Sequence, residues 1–367
     1  MRVVVAPDSF GGTLSAPEAA RAIVEGWNRQ VPGDVLITAP MADGGPGFVA
    51  VLHEALGGEL IVDTVPGPYG DPVPVTWLKV GATAYIESAQ ACGLHLGDRR
   101  EPLIASTAGV GRVLAAALAS GVDRIVVGLG GSATNDGGAG LLSALGATAD
   151  APLDAGPAAL DDVTTVDLTA AHARFADVEL VIASDVDSTL LGMFGATKTF
   201  GPQKGLSDDQ IIRVDAILDR FVEVVCGPTP AERRIADMPG AGAAGGLGFA
   251  LLVLGGTVTS GIDLVAEAVG LRDLAATADL VVTGEGRYDF SSRAGKVVFG
   301  VARAAGEAAR PCIVLAGQVE VGSREMRAMG VESAYAVADV TGLERALAEP
   351  YPSLVELASR AARTWSR

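Results

Sequence analysis

The sequence predicts an α/β protein in which both ends of the chain form one parallel-sheet domain and a second α/β domain is inserted between them. Two observations predict this. Buried apolar runs followed by polar turns and amphipathic helices recur at both ends, whereas the middle carries a proline-rich β pattern. With 367 residues, the chain is long enough for two domains. We place the first domain at 1–69 and 277–367 and the inserted domain at 70–276.

The N-terminal part of the chain shows a repeat of strand, polar turn and helix. The run "RVVVAPDSF" (2–10) is typical of a buried parallel strand with polar residues at its carboxyl end. Ser15 and Glu18 have the spacing of a capping box, so a helix is predicted from there to about Gln30. The stretch "DVLITAPMADGGPG" (34–47) repeats strand, polar turn and helix, which indicates a parallel sheet covered by helices.

The remaining elements follow in chain order. Residues 60–90 carry four prolines among β-rich runs, which indicates an antiparallel or mixed section. Strands are predicted at 123–127, 178–187, 279–283, 311–317 and 333–339, and helices over 47–56, 108–120, 207–225, from 296, and over 342–367.

Composition excludes several classes of function. The formal net charge is −17, and the calculated isoelectric point is about 4.6, so nucleic acid and anionic membranes are poor partners. The three cysteines are far apart, which excludes a disulfide framework or a CxxC zinc site. The chain starts directly on a strand, and it contains no signal-peptide pattern and no run of about 18 apolar residues. We therefore expect a cytoplasmic protein that acts on a small molecule.

Carboxylates follow the predicted buried strands, where ligands bind in open α/β sheets. They are Asp8, Asp43, Asp185, Asp187, Glu285 and Asp289. A single such carboxylate is usually a helix cap. Six of them, together with glycine-rich loops at 128–140 and 239–248, indicate phosphoryl transfer, in which carboxylates hold Mg²⁺ and glycine N–H groups and cations hold phosphate.

The cations that would accompany this chemistry are few. The best-placed cations for a phosphate are Arg287 and Lys296, which flank Asp289, and the next candidates are Lys198 and Lys204. For Lys204, a solvated surface position is the alternative. The sequence contains no G-x-x-x-x-G-K-[ST] loop and no H-R-D or D-F-G motif, which excludes P-loop and protein-kinase architectures. The stretch "GLGGSA" does not contain the complete G-x-G-x-x-G fingerprint, with its downstream acidic residue, that dinucleotide-binding proteins have.

Taken together, the motifs resemble the glycerate kinase family of bacteria. They occur in the family's order from residue 3 to about 340, and they read "APDSF…LSA", "PMADGG", "GLGGSATNDGGAG", "SDVD…GATKTFGPQKG", "PGAGAAGGLG" and "TGEGRYD…GK…GVA". The resemblance implies ATP- and Mg²⁺-dependent phosphorylation of D-glycerate to a phosphoglycerate. It also implies a Rossmann-like domain, a larger α/β domain and a cleft between them.

Site roles are assigned on this basis. Asp187 is predicted as the general base or a metal ligand, with Asp185, Arg287 and Lys296 as further catalytic residues, and Asp185, Glu285 and Asp289 as metal ligands. The predicted substrate- and nucleotide-binding residues are Asp8, Ser9, Asp43, Gly130, Gly131, Ser132, Thr134, Asn135, Asp136, Lys204, Gly242 and Gly245.

The chain departs from the family pattern at several motif positions. Gly11 stands where the family usually has Lys, Pro46 replaces Glu and Phe48 replaces Thr, and Ser188 and Thr189 lie in the "SDVD" loop. These departures leave two alternatives open, a kinase that acts on another small hydroxy compound and a non-catalytic homologue. The oligomeric state, a homodimer included, is also open.

Overall fold

The computed structural model of the chain describes residues 1–290 and 296–366, so the two serines of the predicted "GEGRYDFSS" motif lie outside the described residues. The chain forms two compact units. Unit 1 consists of Met1–Asp43, Ala50–Gly57 and Ser260–Arg367, and unit 2 of Gly44–Val49 and Gly58–Thr259. None of the described helices combines the length and the hydropathy that a membrane span requires.

The elements alternate along the chain as α/β proteins do. The strands are β1 (Arg2–Val5), β2 (Val35–Thr38), β3 (Glu59–Pro66), β4 (Pro72–Val80), β5 (Thr83–Glu87), β6 (Arg124–Gly128), β7 (Thr148–Ala149), β8 (Val166–Asp167), β9 (Glu179–Ala183), β10 (Thr257–Thr259), β11 (Leu280–Thr283), β12 (Arg287–Tyr288), β13 (Cys312–Ala316), β14 (Gln318–Val319) and β15 (Ser333–Ala336). The helices are α1 (Ala16–Gln30), α2 (Phe48–Leu56), α3 (Ala89–Cys92), α4 (Ala108–Ala119), α5 (Ala139–Ala144), α6 (Thr169–Ala173), α7 (Ala196–Lys204), α8 (Asp208–Cys226), α9 (Ala243–Val253), α10 (Gly261–Ala268), α11 (Leu271–Thr277), α12 (Val297–Glu307), α13 (Ser323–Ala328), α14 (Val337–Thr341), α15 (Leu343–Ala348) and α16 (Pro350–Trp365).

Unit 1 is built on a parallel sheet of five strands in the order β15-β13-β11-β1-β2. Val4 of β1 lies between Val281 of β11 and Ile37 of β2. Numbered within the sheet, the order is 2-1-3-4-5, a doubly wound arrangement whose direction of winding reverses between β1 and β11. The loops that follow these two strands therefore flank the point where ligands bind in such sheets.

Helix α1 shows how local sequence determines an element of unit 1. Ser15 caps it through the predicted capping box with Glu18, whose carboxylate accepts a hydrogen bond from the Ser15 backbone N–H at 2.9 Å. The helix packs along α16, and Ile23 and Trp27 are fully buried against the sheet and α16. The predicted strand and helix over the first 30 residues are confirmed.

Unit 2 is built on a mixed sheet of six strands in the order β10-β9-β6-β5-β4-β3. The pairs β3–β4 and β4–β5 are antiparallel, as the proline-rich pattern over 60–90 predicts. Strands β5, β6, β9 and β10 pair in parallel. A second core surrounds this sheet. It includes Trp77, whose indole N–H donates to Asp63 across the β3–β4 pair at 2.8 Å.

The borders of the two units differ from the predicted borders at 69/70 and 276/277. Strand β3 pairs with β4 and so belongs to unit 2, which starts this section at Gly58. At the other border, unit 1 resumes at Ser260, because β10 ends its pairing with β9 at Thr259 and the next helices pack on α12. Strand pairing depends on residues that are far apart in the sequence, so the local pattern did not predict which sheet each strand joins.

Three predicted elements also end elsewhere. Strand β9 stops at Ala183, so that the "SDVD" carboxylates lie in a loop and not on an extended strand. The strand predicted over 333–339 ends at Ala336, where α14 follows. The predicted C-terminal helix is divided, because Pro350 starts a new helix at a position where its missing N–H costs nothing.

Candidate active site

In unit 1 the loops after β1 and β11 are held together at the carboxyl ends of their strands. Thr283 donates its hydroxyl to the Ala6 carbonyl at 2.8 Å, and the Asp8 N–H donates to the Gly284 carbonyl at 2.8 Å. Asp8 in turn accepts a hydrogen bond from the Ser9 N–H at 2.6 Å. The backbone thus places two predicted site residues, Asp8 and Ser9, next to the start of the "GEGRYD" loop.

Three of the predicted carboxylates interact within unit 1. Burial raises the pKa of Asp8 well above its ordinary value, and the negative charges of Asp43 and Glu285 raise it further, while the Ser9 N–H opposes the shift. The Glu285 side chain is itself buried. Mutual repulsion among buried carboxylates favours a proton or a metal cation between them. The structure therefore brings together Asp8, Asp43 and Glu285, as their strand-end positions predict.

The predicted cations of unit 1 stand at the same loop. Arg287 is exposed, and its guanidinium donates to the Glu320 carboxylate at 2.6 and 3.0 Å. This pairing and the negative charge of Asp289 both raise the pKa of the arginine. Lys296 and Asp289 are both half-buried. An exposed ion pair of this kind is worth little to stability.

A cavity of about 490 Å³ opens beside these loops in unit 1. Its lining includes Ser9, Glu285 and Arg287 from the predicted site, and apolar side chains from the C-terminal part of the chain. The volume lies in the range of small-molecule sites.

In unit 2, the glycine-rich loop 128–140 follows β6 and leads into α5, as predicted. Gly130 is half-buried and Gly131 is exposed, whereas Ser132 and the residues after it are buried. These two glycines are therefore the part of the loop that is accessible from solvent.

Asp136 has a different role from the predicted one. Its carboxylate is fully buried and accepts hydrogen bonds from Thr107 N at 2.8 Å, Thr107 Oγ1 at 2.8 Å, Gly138 N at 3.1 Å and Gly140 N at 3.2 Å. Burial raises its pKa, and these donors oppose the shift. Asp136 holds the start of α4 and the start of α5 to the loop, so it organises the glycine-rich loop from below and offers no oxygen to a ligand. Thr107, which sequence reasoning did not select as a site residue, completes this arrangement.

Lys204 lies in the interior of unit 2, so the surface alternative for this residue is wrong. Only 2% of it is exposed, and its ammonium donates to the Ser132 hydroxyl at 3.0 Å and to the Thr134 carbonyl at 2.6 Å. Burial lowers its pKa to about 8. An ammonium has three donors, and the described residues accept two of them. Lys204 thus supports the glycine-rich loop with a positive charge, next to the predicted residues Ser132 and Thr134.

Two further buried atoms lie at this loop. Asn135 donates its amide to the Thr197 hydroxyl at 2.9 Å, and Thr197 is a second residue that sequence reasoning did not select. The Asn135 Oδ1 and Thr134 Oγ1 atoms are buried without a hydrogen-bond partner among the described residues. Buried polar atoms without partners are rare and often mark a water or ligand position. The loop is therefore polar beneath its exposed glycines.

The second glycine-rich loop packs against the first. Ala244, Gly245 and Gly246 have left-handed backbone angles, with φ of 51°, 71° and 91°. A Cβ on Gly245 would lie 2.0 Å from the Thr134 carbonyl oxygen and 2.8 Å from Lys204 Nζ, and a Cβ on Gly242 would lie 2.2 Å from the Thr189 carbonyl oxygen. These glycines are required for close packing, which differs from the ligand contacts predicted for them.

The remaining predicted carboxylates follow β9 in unit 2, where Asp185 is half-buried and Asp187 is exposed. The predicted metal ligands are thus divided between Asp185 in unit 2 and Glu285 and Asp289 in unit 1. Over residues 1–290 and 296–366, no group of three or more His, Cys, Asp or Glu side chains is arranged to hold a metal ion.

The burial of Lys204 makes a testable prediction about stability. Because its pKa is about 8 in the fold and about 10.5 in the unfolded chain, the unfolded state binds more protons between these values, and stability rises with pH there. We expect the free energy of unfolding to rise by about 2 kcal/mol more in the wild type than in Lys204→Met between pH 7.5 and pH 9.5. Urea unfolding at the two pH values measures this. Lys198→Met is the control, since Lys198 is an exposed lysine of the same helix, paired with Asp215 at 2.9 Å. Parallel pH profiles for wild type and Lys204→Met would contradict the assignment.

Known proteins resemble this chain over nearly its whole length. Residues 3–366 match the sequence profile described as the Glycerate kinase family. An uncharacterized protein of Mycobacterium tuberculosis (strain CDC 1551 / Oshkosh) is 44% identical, over 99% of this chain and 91% of that protein. A glycerate kinase of Bacillus subtilis (strain 168) is 41% identical, over 92% and 90%. A crystal structure described as glycerate kinase 2 from Salmonella typhimurium LT2 has a TM-score of 0.80 at 36% identity, and the match covers 99% of this chain and 98% of that one.

Proposed function

The chain belongs to the glycerate kinase family and is a phosphotransferase of the kinase type, and from this premise we propose that it transfers the γ-phosphoryl group of ATP to a hydroxyl group of D-glycerate with the help of Mg²⁺. The observation that carries the proposal is the family match over residues 3–366. The site geometry adds the acidic cluster of unit 1 and the glycine-rich loop of unit 2, which are the parts that phosphoryl transfer needs.

Asp8 and Glu285 of unit 1 offer the carboxylate oxygens that Mg²⁺ prefers, although the described residues contain no group of three such ligands. Repulsion from Asp43 and Glu285 raises the pKa of Asp8, so a cation is favoured among these oxygens. Magnesium in phosphoryl-transfer sites is held by one or two carboxylates together with phosphate oxygens and water, so a preformed cage of protein ligands is not required. We assign Glu285 and Asp8 as carboxylates that would hold the ion, and Asp185 and Asp289 remain proposed ligands. When bound, the ion neutralises charge on the phosphate oxygens.

The other residues have roles in the transfer itself. Asp187 accepts the proton of the attacking hydroxyl as the new O–P bond forms and the bond from the γ-phosphorus to the bridging oxygen breaks, which leaves ADP. Arg287 and Lys296 neutralise phosphoryl oxygens. The N–H groups of Gly130 and Gly131 donate to phosphate oxygens, and Lys204 supports the glycine-rich loop with its charge.

One observation favours a second candidate, transfer to another small hydroxy compound. Gly11 stands where the family usually has Lys, and its backbone φ of +52° is one that suits glycine. Pro46, at the usual Glu position, lies beside the exposed loop, because a Cβ on Gly131 would be 3.1 Å from its ring. Both changes remove charge from family motifs, so they bear on which acceptor is used.

The deciding experiment is an ADP-release assay with Mg·ATP and D-glycerate, run on the wild type and on Gly11→Lys/Pro46→Glu. We expect the wild type to turn over D-glycerate, with 2- or 3-phosphoglycerate identified in the product, and kcat/KM of the double variant to change by less than about tenfold. A tenfold change corresponds to about 1.4 kcal/mol, roughly one lost polar contact.

Two other results would revise the proposal. An inactive wild type whose activity appears in the double variant would assign the chain to another acceptor. If neither protein releases ADP and calorimetry shows no binding of ATP, the non-catalytic homologue would be favoured.

A further inference from the structure

The cavity of unit 1 lies at the carboxyl ends of four strands of the parallel sheet. Its lining residues follow β1, β11, β13 and β15, and they include Phe10, Gly286, Gly317 and Val337. The loops after β1 and β11 flank the point where the winding of the sheet reverses. Ligands of doubly wound sheets bind at this point, outside the carboxyl ends of the strands. The position thus marks the cavity as a ligand site independently of its size.

The wall of the cavity carries apolar side chains that water reaches. Leu343 and Leu347 are 47% and 61% exposed, and they stand four residues apart on one face of α15. Phe10 and Val337 form the buried part of the lining. Exposed leucines are common on protein surfaces, but two of them beside a cavity at the ligand edge of a sheet provide an apolar face that a flat ring can cover.

The polar groups of the cavity suit the edge of a heterocycle. Gln318 is half-buried, and its side-chain amide forms no hydrogen bond with the residues that the structure describes. An amide offers both a donor and an acceptor, as the edge of a purine does. The Gln318 backbone N–H donates to Gly286 at 3.1 Å, which holds this residue at the loop after β11.

The size of the cavity favours the larger of the two substrates. Its lining carries charges of both signs, with the Glu285 carboxylate and the Arg287 guanidinium at the same loop. Glycerate, a three-carbon carboxylate, would leave most of the 490 Å³ unfilled. A neutral base fills this space and leaves the charged groups to the phosphate chain and its cation. We infer that the cavity binds the purine base of the nucleotide donor, with Leu343 and Leu347 packed on the ring; this rests on the proposed function.

The test combines Leu343→Gln, Leu347→Gln and the double variant, because glutamine keeps the helix propensity of leucine and removes the apolar contact. We expect KM for ATP to rise roughly tenfold for each substitution, with kcat and KM for D-glycerate unchanged, since each leucine contributes about one apolar side-chain contact to the base. Calorimetry should show weaker binding of ADP but unchanged binding of inorganic tripolyphosphate. Leu60→Gln, at an exposed leucine of β3 (44%), is the matched control.

The outcomes separate the two proposals. An active enzyme whose ATP KM and ADP affinity stay the same in all variants would overturn the base pocket and leave the proposed function intact. Equal weakening of ADP and tripolyphosphate would also overturn it, because the effect would then not depend on the base. Loss of ADP affinity alone in a protein that forms no phosphoglycerate would support the pocket while the proposed acceptor fails.

Discussion

Replacing Asp136 by alanine is expected to lower the free energy of unfolding by about 4 kcal/mol, because four buried donors then lose their acceptor. These donors are the N–H and hydroxyl of Thr107 and the N–H groups of Gly138 and Gly140. Asp136→Asn keeps one acceptor oxygen and should cost about half as much. Urea unfolding monitored by circular dichroism measures both.

The matched control is Asp150→Ala. Asp150 also accepts hydrogen bonds from two backbone N–H groups and a hydroxyl, those of Thr164 and Thr165, but it is exposed. Water replaces its carboxylate, so the expected cost is about 1 kcal/mol or less. Equal losses for the two substitutions would show that burial of the Asp136 donors does not determine the effect.

Replacing Asp187 by asparagine is expected to lower kcat for phosphorylation of D-glycerate by about 10²- to 10⁴-fold, because the amide cannot accept the hydroxyl proton. The side chain is exposed, so the melting temperature should stay within about 2 °C of the wild type. Steady-state kinetics with Mg·ATP, together with a thermal melt, measures both quantities.

Two comparisons make this prediction specific. Asp177→Asn changes another exposed aspartate of unit 2 and should leave kcat unchanged. If Asp187→Asn instead raises KM for Mg²⁺ and excess Mg²⁺ restores kcat, the residue holds the metal and not the proton. A kcat within about threefold of the wild type at all Mg²⁺ concentrations would remove Asp187 from the catalytic residues.

The parts of this protein that could be read from its sequence are those that depend on neighbours along the chain. Capping boxes at Ser15 and Ser207 begin α1 and α8 as predicted, because a cap satisfies N–H groups only three residues away. Apolar runs that end in carboxylates placed Asp8 and Glu285 at the carboxyl edge of a parallel sheet. The same motifs, taken in order, indicated the glycerate kinase family.

Other features depend on contacts between distant residues. The pairing of β3 with β4 moved the border between the units, and nothing in the pattern around residue 58 indicates which sheet β3 joins. Gly245 is separated from Thr134 by more than a hundred positions, yet the carbonyl of one excludes a side chain on the other. Such requirements arise only when two loops meet.

By itself, the sequence determined the elements, their alternation, the polar edge of the unit 1 sheet and the family, because periodicity, caps and motif order act over short distances. Only the tertiary structure decided which polar residues are buried. Lys204 and Asp136 were expected to contact a ligand, and in the structure their buried side chains form hydrogen bonds that support the glycine-rich loop. The tertiary structure also places Leu343 and Leu347 at the edge of the cavity. The physical reason is that burial is a property of everything that packs around a residue, and those neighbours come from distant parts of the chain.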